Sequence, residues 1–384
     1  MSTSSRAALH LVAIMVMLSL INACGGGSGS SPAPPADEDS STPPAKATPD
    51  FSEADRAFET FLDESSIFDG ISYVVVDANG TLHTGVFGDH TEDTVVMLAS
   101  TSKVPAVMTL LALEADTDVS FDMDQPIGEV LPFKGVYGDR TPTQLVSNTS
   151  GIPGLRQLSR YGPHLCQYSF DGAIEFEACG QIMLSTPLPD THDAGSIFDY
   201  GGSQWQLAGV TASIAANASW NQLVDQYLGT PCDLKVFTFG NMWEDLTQWD
   251  GTAGSLRGQL NPNIEGGAIT DLADYAKILR IHLNGGFCGD TQVLSEAAIA
   301  KMRVDLGGVV AENPVPYGMG WWIRTETPGV YDDPGAFGSV SFWTLSAVLE
   351  VTLQLTITRA PTQRRPCSLF AKRSYRFYSL LGTR

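Results

Sequence analysis

The stretch Met97–Met108, MLASTSKVPAVM, places Ser100 three residues before Lys103 at the predicted start of an apolar helix. Residues three apart on a helix share one face, so this spacing can give a lysine amine that activates a serine hydroxyl. Pro105 is compatible with the helix because it falls in the first turn. The alternative is that Ser100 only caps the helix, and further motifs are needed to decide.

The composition excludes several function classes. The chain has 384 residues, of which 43% are hydrophobic and 17% charged, enough for a large core in one domain or two intergrown ones. A net charge of -21 argues against a nucleic-acid partner, because binding a polyanion requires clustered Lys and Arg. The 6 histidines are scattered, and G-x-S-x-G, H-E-x-x-H and P-loop motifs are absent. We therefore expect no metal and no cofactor.

The N-terminal segment has the pattern of an exported lipoprotein. Residues 1–23 contain one positive charge and an apolar run, Leu11–Leu20, that is too short to span a bilayer. The ending INAC resembles a bacterial lipobox, in which Cys24 becomes the lipidated first residue. Residues 24–50 are rich in Gly, Ser and Pro and predict a flexible linker. We expect a lipid-anchored protein on the periplasmic face of the bacterial cell envelope, and Gly25 favours the outer membrane.

The remaining cysteines predict disulfides rather than a metal site. Pairing is the default for cysteines of exported proteins, and the C-x-x-C spacing of metal sites is absent. We expect Cys166 to pair with Cys179, and Cys232 to pair with Cys288.

Strand patterns lie at both ends of the folded region, with helix patterns between them. Residues 71–88 form two β-rich runs around Asn79-Gly80, a strong hairpin signal. Residues from about 115 to 310 are mostly helical, and after residue 315 strands return, with strict alternation over Val351–Thr358. This order predicts a sheet completed by the two chain ends around an inserted, mostly helical domain.

Several motifs occur in a characteristic order along the chain. They are STSK (100–103), QLVSNTSGIPG (144–154), FDYGGSQWQLAG (198–209), EGGAITDLADYAKIL (265–279) and YGMGWWI (317–323). With these motifs the chain resembles the serine β-lactamase and penicillin-binding fold, in particular the class C β-lactamases and family VIII carboxylesterases, over roughly Ala54 to Trp343.

The motifs correspond to the family's in sequence order. STSK corresponds to S-x-x-K, FDYGGSQWQLAG to the Y-x-N region, EGGAITDLADYAKIL to AGG...ADYARFL, and YGMGWWI to the strand before the third motif. In QLVSNTSGIPG, Asn148 stands where the family commonly has histidine and, with Ser150, is expected to stabilise a turn.

The resemblance implies a fold and a mechanism. It implies an α/β fold of the α+β type, like that of serine β-lactamases and DD-peptidases, with an antiparallel sheet flanked by helices, over residues 51–358. Ser100 would be the nucleophile, Lys103 and Tyr200 would move its proton, and the backbone N–H groups of Ser100 and Ser339 would form the oxyanion hole. The alternative for Tyr200 is a half-buried aromatic residue with a satisfied hydroxyl.

The chain departs from the family at two substrate-binding motifs. Gly202 replaces the asparagine of Y-x-N, which in the family helps to hold the acyl side chain and the lysine. The third motif, Lys-Thr-Gly or His-Thr-Gly in lactamases, aligns best with Ala336-Phe337-Gly338, so no cation remains there. Gly338 fits a strand that runs close to the substrate. The alternative is a plain turn bounded by glycines.

The C-terminal segment differs in charge from the rest. Up to Trp343 the chain has 15 Lys and Arg against 42 Asp and Glu, whereas residues 344–384 have 7 against 1. Residues 359–384 are therefore an atypical basic tail, for which divergence and a shifted reading frame both remain open. The alternating run before it favours a genuine strand.

These observations predict a serine hydrolase that acts through an acyl-enzyme on esters or amides of small acyl substrates, tethered to the membrane by its lipid. One alternative is a β-lactamase or DD-peptidase acting on β-lactams or peptidoglycan, for which Arg324 is the first candidate for a missing cation. Another is a non-catalytic envelope protein that binds ligands with the same fold. Retention of Ser100, Lys103 and Tyr200 favours an enzyme, because a binding protein does not require them.

The lipobox interpretation predicts that Cys24→Ser releases the protein from the membrane fraction, because serine offers no thiol for the lipid. Fractionation of cells followed by sedimentation measures this. Cys367→Ser is the matched control and should leave the protein in the membrane pellet. A Cys24→Ser protein that still sediments with membranes would show that the anchor lies elsewhere.

Overall fold

A computed structural model describes residues 49–64, 68–155, 162–168, 174–241, 260–344 and 348–355. The chain divides into two compact units, Met1–Ser66 and Ile67–Arg384. The described part of the first unit contains one helix, α1 (Ser52–Glu64). The predicted signal peptide, the lipidation site Cys24, nearly all of the linker and the basic tail lie outside the described residues. Within those residues, no helix is both long and apolar enough to cross a membrane.

The second unit contains the strands and the remaining helices. The strands are β1 (Phe68–Asp77), β2 (Gly80–Gly88), β3 (Val96–Met97), β4 (Thr238–Phe239), β5 (Ala268–Thr270), β6 (Phe287–Cys288), β7 (Thr291–Gln292), β8 (Trp322–Ile323), β9 (Val330–Pro334), β10 (Val340–Thr344) and β11 (Val348–Leu355). The helices are α2 (Lys103–Ala115), α3 (Ile127–Val130), α4 (Pro142–Val146), α5 (Phe176–Ser185), α6 (Ser203–Ala216), α7 (Trp220–Val224), α8 (Leu272–Leu283) and α9 (Glu296–Met302).

The main sheet is antiparallel and uses strands from both ends of the unit. Its order is β2-β1-β11-β10-β9-β8, so β11 pairs with β1 on one side and β10 on the other. The helices α2 to α9 lie between β2 and β8 in sequence. The predicted α+β fold, with a sheet completed by both chain ends around a helical region, is confirmed. The alternating run near residue 351 belongs to β11.

The first hairpin forms where its sequence predicts it. Asp77 Oδ1 accepts hydrogen bonds from the backbone N–H groups of Asn79, at 2.7 Å, and Gly80, at 3.0 Å, which closes the turn. Residues 70–76 of β1 are all buried. A strand with neighbours on both sides and both faces covered is expected to be mostly apolar. This valine-rich segment is so except at Ser72, whose hydroxyl is in hydrogen-bond contact with His90 Nδ1 at 3.1 Å.

A small second sheet positions the residues before Ser100. Its order is β3-β5-β4, and β3 ends at Met97, three residues before Ser100. The helix that follows, α2, is buried from Lys103 through Leu113, which explains why its sequence is apolar on all sides. The structure also joins Cys166 to Cys179 and Cys232 to Cys288, the two pairs that the sequence favours.

Candidate active site

Ser100 lies in a short 3₁₀ turn, Ala99–Ser102, that runs directly into α2. Ala99 has a φ of 47°, in the left-handed region that non-glycine residues seldom adopt. Such a conformation persists only where the surrounding structure holds it, and it is concentrated at functional sites. The strained residue directly precedes the serine, so the backbone fixes the position of the hydroxyl before any substrate binds.

Hydrogen bonds from β5 and α8 hold this turn. The backbone of Ala268 accepts from the N–H of Leu98 at 2.9 Å and donates to Ser102 Oγ at 3.0 Å. The Tyr275 hydroxyl donates to the carbonyl of Thr101 at 2.9 Å. Ala268 and Tyr275 belong to the segment EGGAITDLADYAKIL, so one family motif holds another in place.

Lys103 is fully buried, and its amine reaches the serine. Nζ donates a hydrogen bond to Ser100 Oγ at 3.1 Å and another to the backbone carbonyl of Glu265 at 2.8 Å. The same nitrogen lies 4.8 Å from the centroid of the Tyr200 ring and 5.4 Å from that of Trp205. Ser100 is itself 4% exposed, so the pair lies in a largely water-excluded site.

Burial changes the acid–base behaviour of this amine. Loss of solvation lowers the pKa of Lys103, while the carboxylates of Glu265 and Asp333 oppose that effect. An amine must be neutral to accept a proton, and desolvation favours the neutral form. Lys103 is therefore suited to take the proton of Ser100.

Tyr200 is placed by a turn that Asn148 holds. Asn148 Oδ1 accepts from the backbone N–H of Gly201 at 2.9 Å and from the indole N–H of Trp205 at 2.8 Å. The carbonyl of Tyr200 accepts from the N–H of Leu155 at 2.9 Å. Asn148 therefore acts on the conformation of the Tyr-Gly-Gly segment, in agreement with its prediction as a turn residue.

An aromatic cluster lies around the Tyr200 ring. The ring centroids of Trp322 and Tyr317 lie 5.0 Å and 5.9 Å from it, and Phe198 contacts both of them. Burial, with the charge of Asp333 adding to it, raises the pKa of the Tyr317 hydroxyl well above its usual range. Tyr317 therefore stays protonated and serves as part of an apolar wall.

The predicted third motif has a different position from the one expected. Residues 336–338 form the turn between β9 and β10, in which the N–H of Gly338 donates to the carbonyl of Gly335 at 3.1 Å. Gly338 has a φ of 105°, as a glycine in a tight turn can. Ala336, Phe337 and Gly338 are therefore not in a strand, and the plain turn that was the alternative is what the structure shows.

The strand segment that contacts the Ser100 turn lies three residues earlier, at the end of β9. Thr101 Oγ1 donates to the carbonyl of Asp333 at 2.8 Å. A Cβ atom on Gly335 would lie 2.2 Å from the carbonyl oxygen of Leu98, so only glycine allows this approach. The backbone of Ser339 contributes its carbonyl, which accepts from the N–H of Gly335 at 2.6 Å. Its predicted role as an oxyanion donor stays a prediction.

Asp333 is a site residue that sequence reasoning missed. Its side chain is fully buried, and neither carboxylate oxygen has a hydrogen-bond partner among the described residues. Burial raises the pKa of Asp333 well above its usual range, and the charge of Lys103 opposes that rise. The available signal was the Asp332-Asp333 pair in a strand that is otherwise apolar, since buried acids in strands are rare.

Arg324, the first candidate for the missing cation, is paired with acidic side chains. Its guanidinium pairs with the buried carboxylate of Asp332 and lies 3.8 Å from Glu326. Its side chain is 43% exposed, whereas Lys103 and Asp333 are fully buried. The charge of Arg324 is thus committed to neighbouring acids.

A buried serine and lysine in hydrogen-bond contact on this α+β fold define a class, the β-lactamase-fold serine hydrolases. A family model described as Beta-lactamase matches residues 54–368, and the chain belongs to that family of serine hydrolases, which includes carboxylesterases. No curated protein sequence gives a match.

Solved structures share the fold at low sequence identity. A Bacteroides dorei protein with a provisional beta-lactamase assignment has 23% identity and a TM-score of 0.65, covering 80% of this chain and 91% of its own. EstCE1, a hydrolase with promiscuous acyltransferase activity, has 16% identity and a TM-score of 0.63, covering 79% and 93%. A family VIII carboxylesterase has 16% identity and a TM-score of 0.57, covering 80% and 92%. At these identities the similarity shows the fold alone.

Lys103 is hydrogen-bonded to Ser100, and its amine lies 4.8 Å from the centroid of the Tyr200 ring. We therefore expect Lys103→Ala and Tyr200→Phe each to lower kcat/KM by about 10²- to 10⁴-fold, because each removes a proposed proton-transfer group. Their effects should be far from additive, since both act on one proton. Steady-state kinetics of the single and double variants measure this, with the exposed Lys134→Ala as the control. A double variant equal to the product of the two single effects would contradict the shared role.

Proposed function

We propose that the protein is a serine hydrolase that forms an acyl-enzyme at Ser100 and acts on esters or amides of small acyl substrates. The observation that carries this proposal is the 3.1 Å hydrogen bond from Lys103 Nζ to Ser100 Oγ. This bond joins a nucleophile to a base whose neutral form is favoured by burial. An ordinary helix cap requires no fully buried lysine beside it.

The reaction has two stages. In the first, Ser100 Oγ attacks the acyl carbonyl carbon, its proton passes to the Lys103 amine, and the Tyr200 phenol helps to deliver that proton to the leaving group. In the second, water attacks the carbonyl carbon of the serine ester, its proton passes to the Lys103 amine and then to Ser100 Oγ, and the bond from the acyl carbon to Oγ breaks to release the carboxylic acid. The backbone N–H groups of Ser100 and Ser339 are the proposed donors to the oxyanion in both stages.

The charges around the site favour neutral substrates. β-Lactams and peptidoglycan stems carry a carboxylate beside the scissile amide, and the lactamases use a third-motif cation to pair it. Here the strand segment at that place contributes Asp333, whose buried carboxyl group interacts with the charge of Lys103, and Arg324 is paired with Asp332. Leaving a half-buried carboxylate unpaired commonly costs more than about 1 kcal/mol. We infer that neutral, short-to-medium acyl esters are preferred.

The structural neighbours support an esterase as the first candidate function, ahead of a β-lactamase or peptidase and of a binding protein. The names of two of the structural neighbours describe a carboxylesterase and a hydrolase with acyltransferase activity, in agreement with ester chemistry on this fold. The provisional beta-lactamase assignment of another keeps β-lactams or peptidoglycan as the second candidate. A non-catalytic binding protein is the third, and the retained contact between Ser100 and Lys103 argues against it.

The cellular setting is a further proposal. We propose that a lipid on Cys24 anchors the enzyme in the bacterial cell envelope, with residues 24–50 as a spacer. The two disulfides support an oxidising compartment outside the cytoplasm.

A serine-directed fluorophosphonate probe should label Ser100, because acylation of this hydroxyl is the first step. Ser100→Ala should abolish labelling and lower turnover by about ten-thousand-fold or more, with little change in folding. Peptide mass spectrometry identifies the labelled residue, and Ser185→Ala on an exposed helix end is the control. Folded wild-type protein that is not labelled at Ser100 would favour the binding-protein alternative.

Because no third-motif cation stands here to pair a substrate carboxylate, we expect the purified protein to have a higher kcat/KM for p-nitrophenyl butyrate than for a chromogenic cephalosporin. The ester has no carboxylate to leave unpaired, and its leaving group is better than an amine. Ser100→Ala, measured on both compounds, gives the background hydrolysis. A cephalosporin value that equals or exceeds that of the ester would overturn the preference.

A further inference from the structure

Gly202 does more than lack an asparagine side chain, because its backbone has a conformation that asparagine would not adopt. It has a φ of 88° and a ψ of -158°, a region that glycine enters almost alone. Glycine in place of asparagine therefore allows a different backbone conformation at position 202. In this conformation the N–H of Gly202 points toward a side chain from a different segment.

That side chain is Glu265, which is 4% exposed. Its Oε2 atom accepts a hydrogen bond from the N–H of Gly202 at 2.5 Å and lies 4.0 Å from Lys103 Nζ. Its Oε1 atom accepts a short hydrogen bond from the Tyr168 hydroxyl. A Cβ atom on Gly201 would lie 2.9 Å from Oε2, so the carboxylate fills the space above this glycine pair.

One of the two departures described above, Gly202, meets a further difference from the family pattern, Glu265, at this contact. The segment EGGAITD has Glu265 where the resembling AGG motif has alanine, and Tyr-Gly-Gly has Gly202 where Y-x-N has asparagine. In the family that asparagine helps to hold the lysine. In this chain the polar group beside Lys103 comes from the other segment and carries a charge that an amide lacks.

We propose that Glu265 is a positioning residue that replaces the asparagine missing at Gly202, and that its carboxylate sets the pH range in which Lys103 can act as a base. The proposal rests on the proposed function, since it requires Lys103 to accept the proton of Ser100. Two donors, the N–H of Gly202 and the hydroxyl of Tyr168, hold the carboxylate in place. The backbone carbonyl of the same residue holds Lys103 Nζ directly.

The direction of the effect follows from the charges. A negative charge favours the protonated form of a nearby amine, and Glu265 raises the pKa of Lys103 against the larger effect of burial. The catalytic form is the neutral amine, so activity rises as the pH passes the pKa of Lys103. Removing the charge of Glu265 should move this rise to lower pH. Among the described residues, the other titratable groups that face the amine are Asp333 and Tyr200. Tyr168 lies beyond them through Glu265, and Tyr317 lies beyond them against the Tyr200 ring.

The central test is the pH profile of kcat/KM for p-nitrophenyl butyrate with Glu265→Gln. Glutamine keeps the size of the side chain and an oxygen for the N–H of Gly202, but it removes the charge. We expect the acidic limb of this profile, the rise of kcat/KM with increasing pH, to move to lower pH by about one unit or more. The plateau, the maximal kcat/KM, should also be lower. Glu129→Gln, an exposed carboxylate outside the site, is the matched control and should leave the limb in place.

Two further variants keep the test decisive. Glu265→Asp retains the charge but places it farther from Lys103, so its limb should lie between those of wild type and Glu265→Gln. Glu265→Ala leaves Gly202 and Tyr168 without their acceptor and should lose more of the plateau than Glu265→Gln. Circular dichroism and thermal melting establish folding, and if Glu265→Gln does not fold, the position of the Glu265→Asp limb decides.

The outcomes separate this inference from the proposed function. Wild-type protein that a fluorophosphonate labels at Ser100, combined with acidic limbs that do not move in either charge variant, would overturn the role of Glu265 alone. A lower plateau without displacement of the limb would likewise show that the side chain only supports the fold. Absence of labelling in wild type would instead overturn the serine hydrolase itself.

Discussion

The complete burial of the Lys103 amine is the constraint on which the rest of the site depends. A buried charged group is costly, so its surroundings must either neutralise it or pair it. This site does some of both, because desolvation lowers the pKa of the amine while Glu265 and Asp333 offset part of that change. Ser100 lies within hydrogen-bond reach of a group balanced in this way.

The fold meets this constraint by bringing together segments that are distant in sequence. The 3₁₀ turn before α2 supplies the serine, and the first residue of α2 is the lysine. The segment before β5 supplies the carbonyl that holds the amine, and the end of β9 contacts the turn. A sheet closed by both chain ends is what places β9 there, because β10 and β11 connect it to β1. The contact between Ser100 and Lys103 is local in sequence, but its water-excluded environment depends on the whole sheet.

The local features were accessible from the sequence, whereas the long-range ones were not. S-x-x-K spacing predicts the shared face of Ser100 and Lys103, and Asn-Gly predicts the turn between β1 and β2. The strand segment that contacts the Ser100 turn lies three residues before the expected third motif, because the register depends on where β9 ends. The Ala336–Gly338 turn has much the same glycine pattern as a strand close to a substrate. Asp333 and Glu265 were missed because an acid looks solvent-exposed until its contacts with distant segments are known.

The relation between positions 202 and 265 shows how a family motif can change while a contact remains. An asparagine at position 202 would offer Lys103 a neutral oxygen. The glycine that stands there directs its N–H to Glu265, whose carboxylate lies 4.0 Å from the lysine amine. The replacement preserves a polar neighbour for the amine but alters the electrostatics, since the amide is uncharged at every pH. The Tyr-Gly-Gly motif by itself indicates a site that has lost its asparagine. The contacts indicate instead that Glu265, from another segment, supplies the polar group beside Lys103 and adds a negative charge.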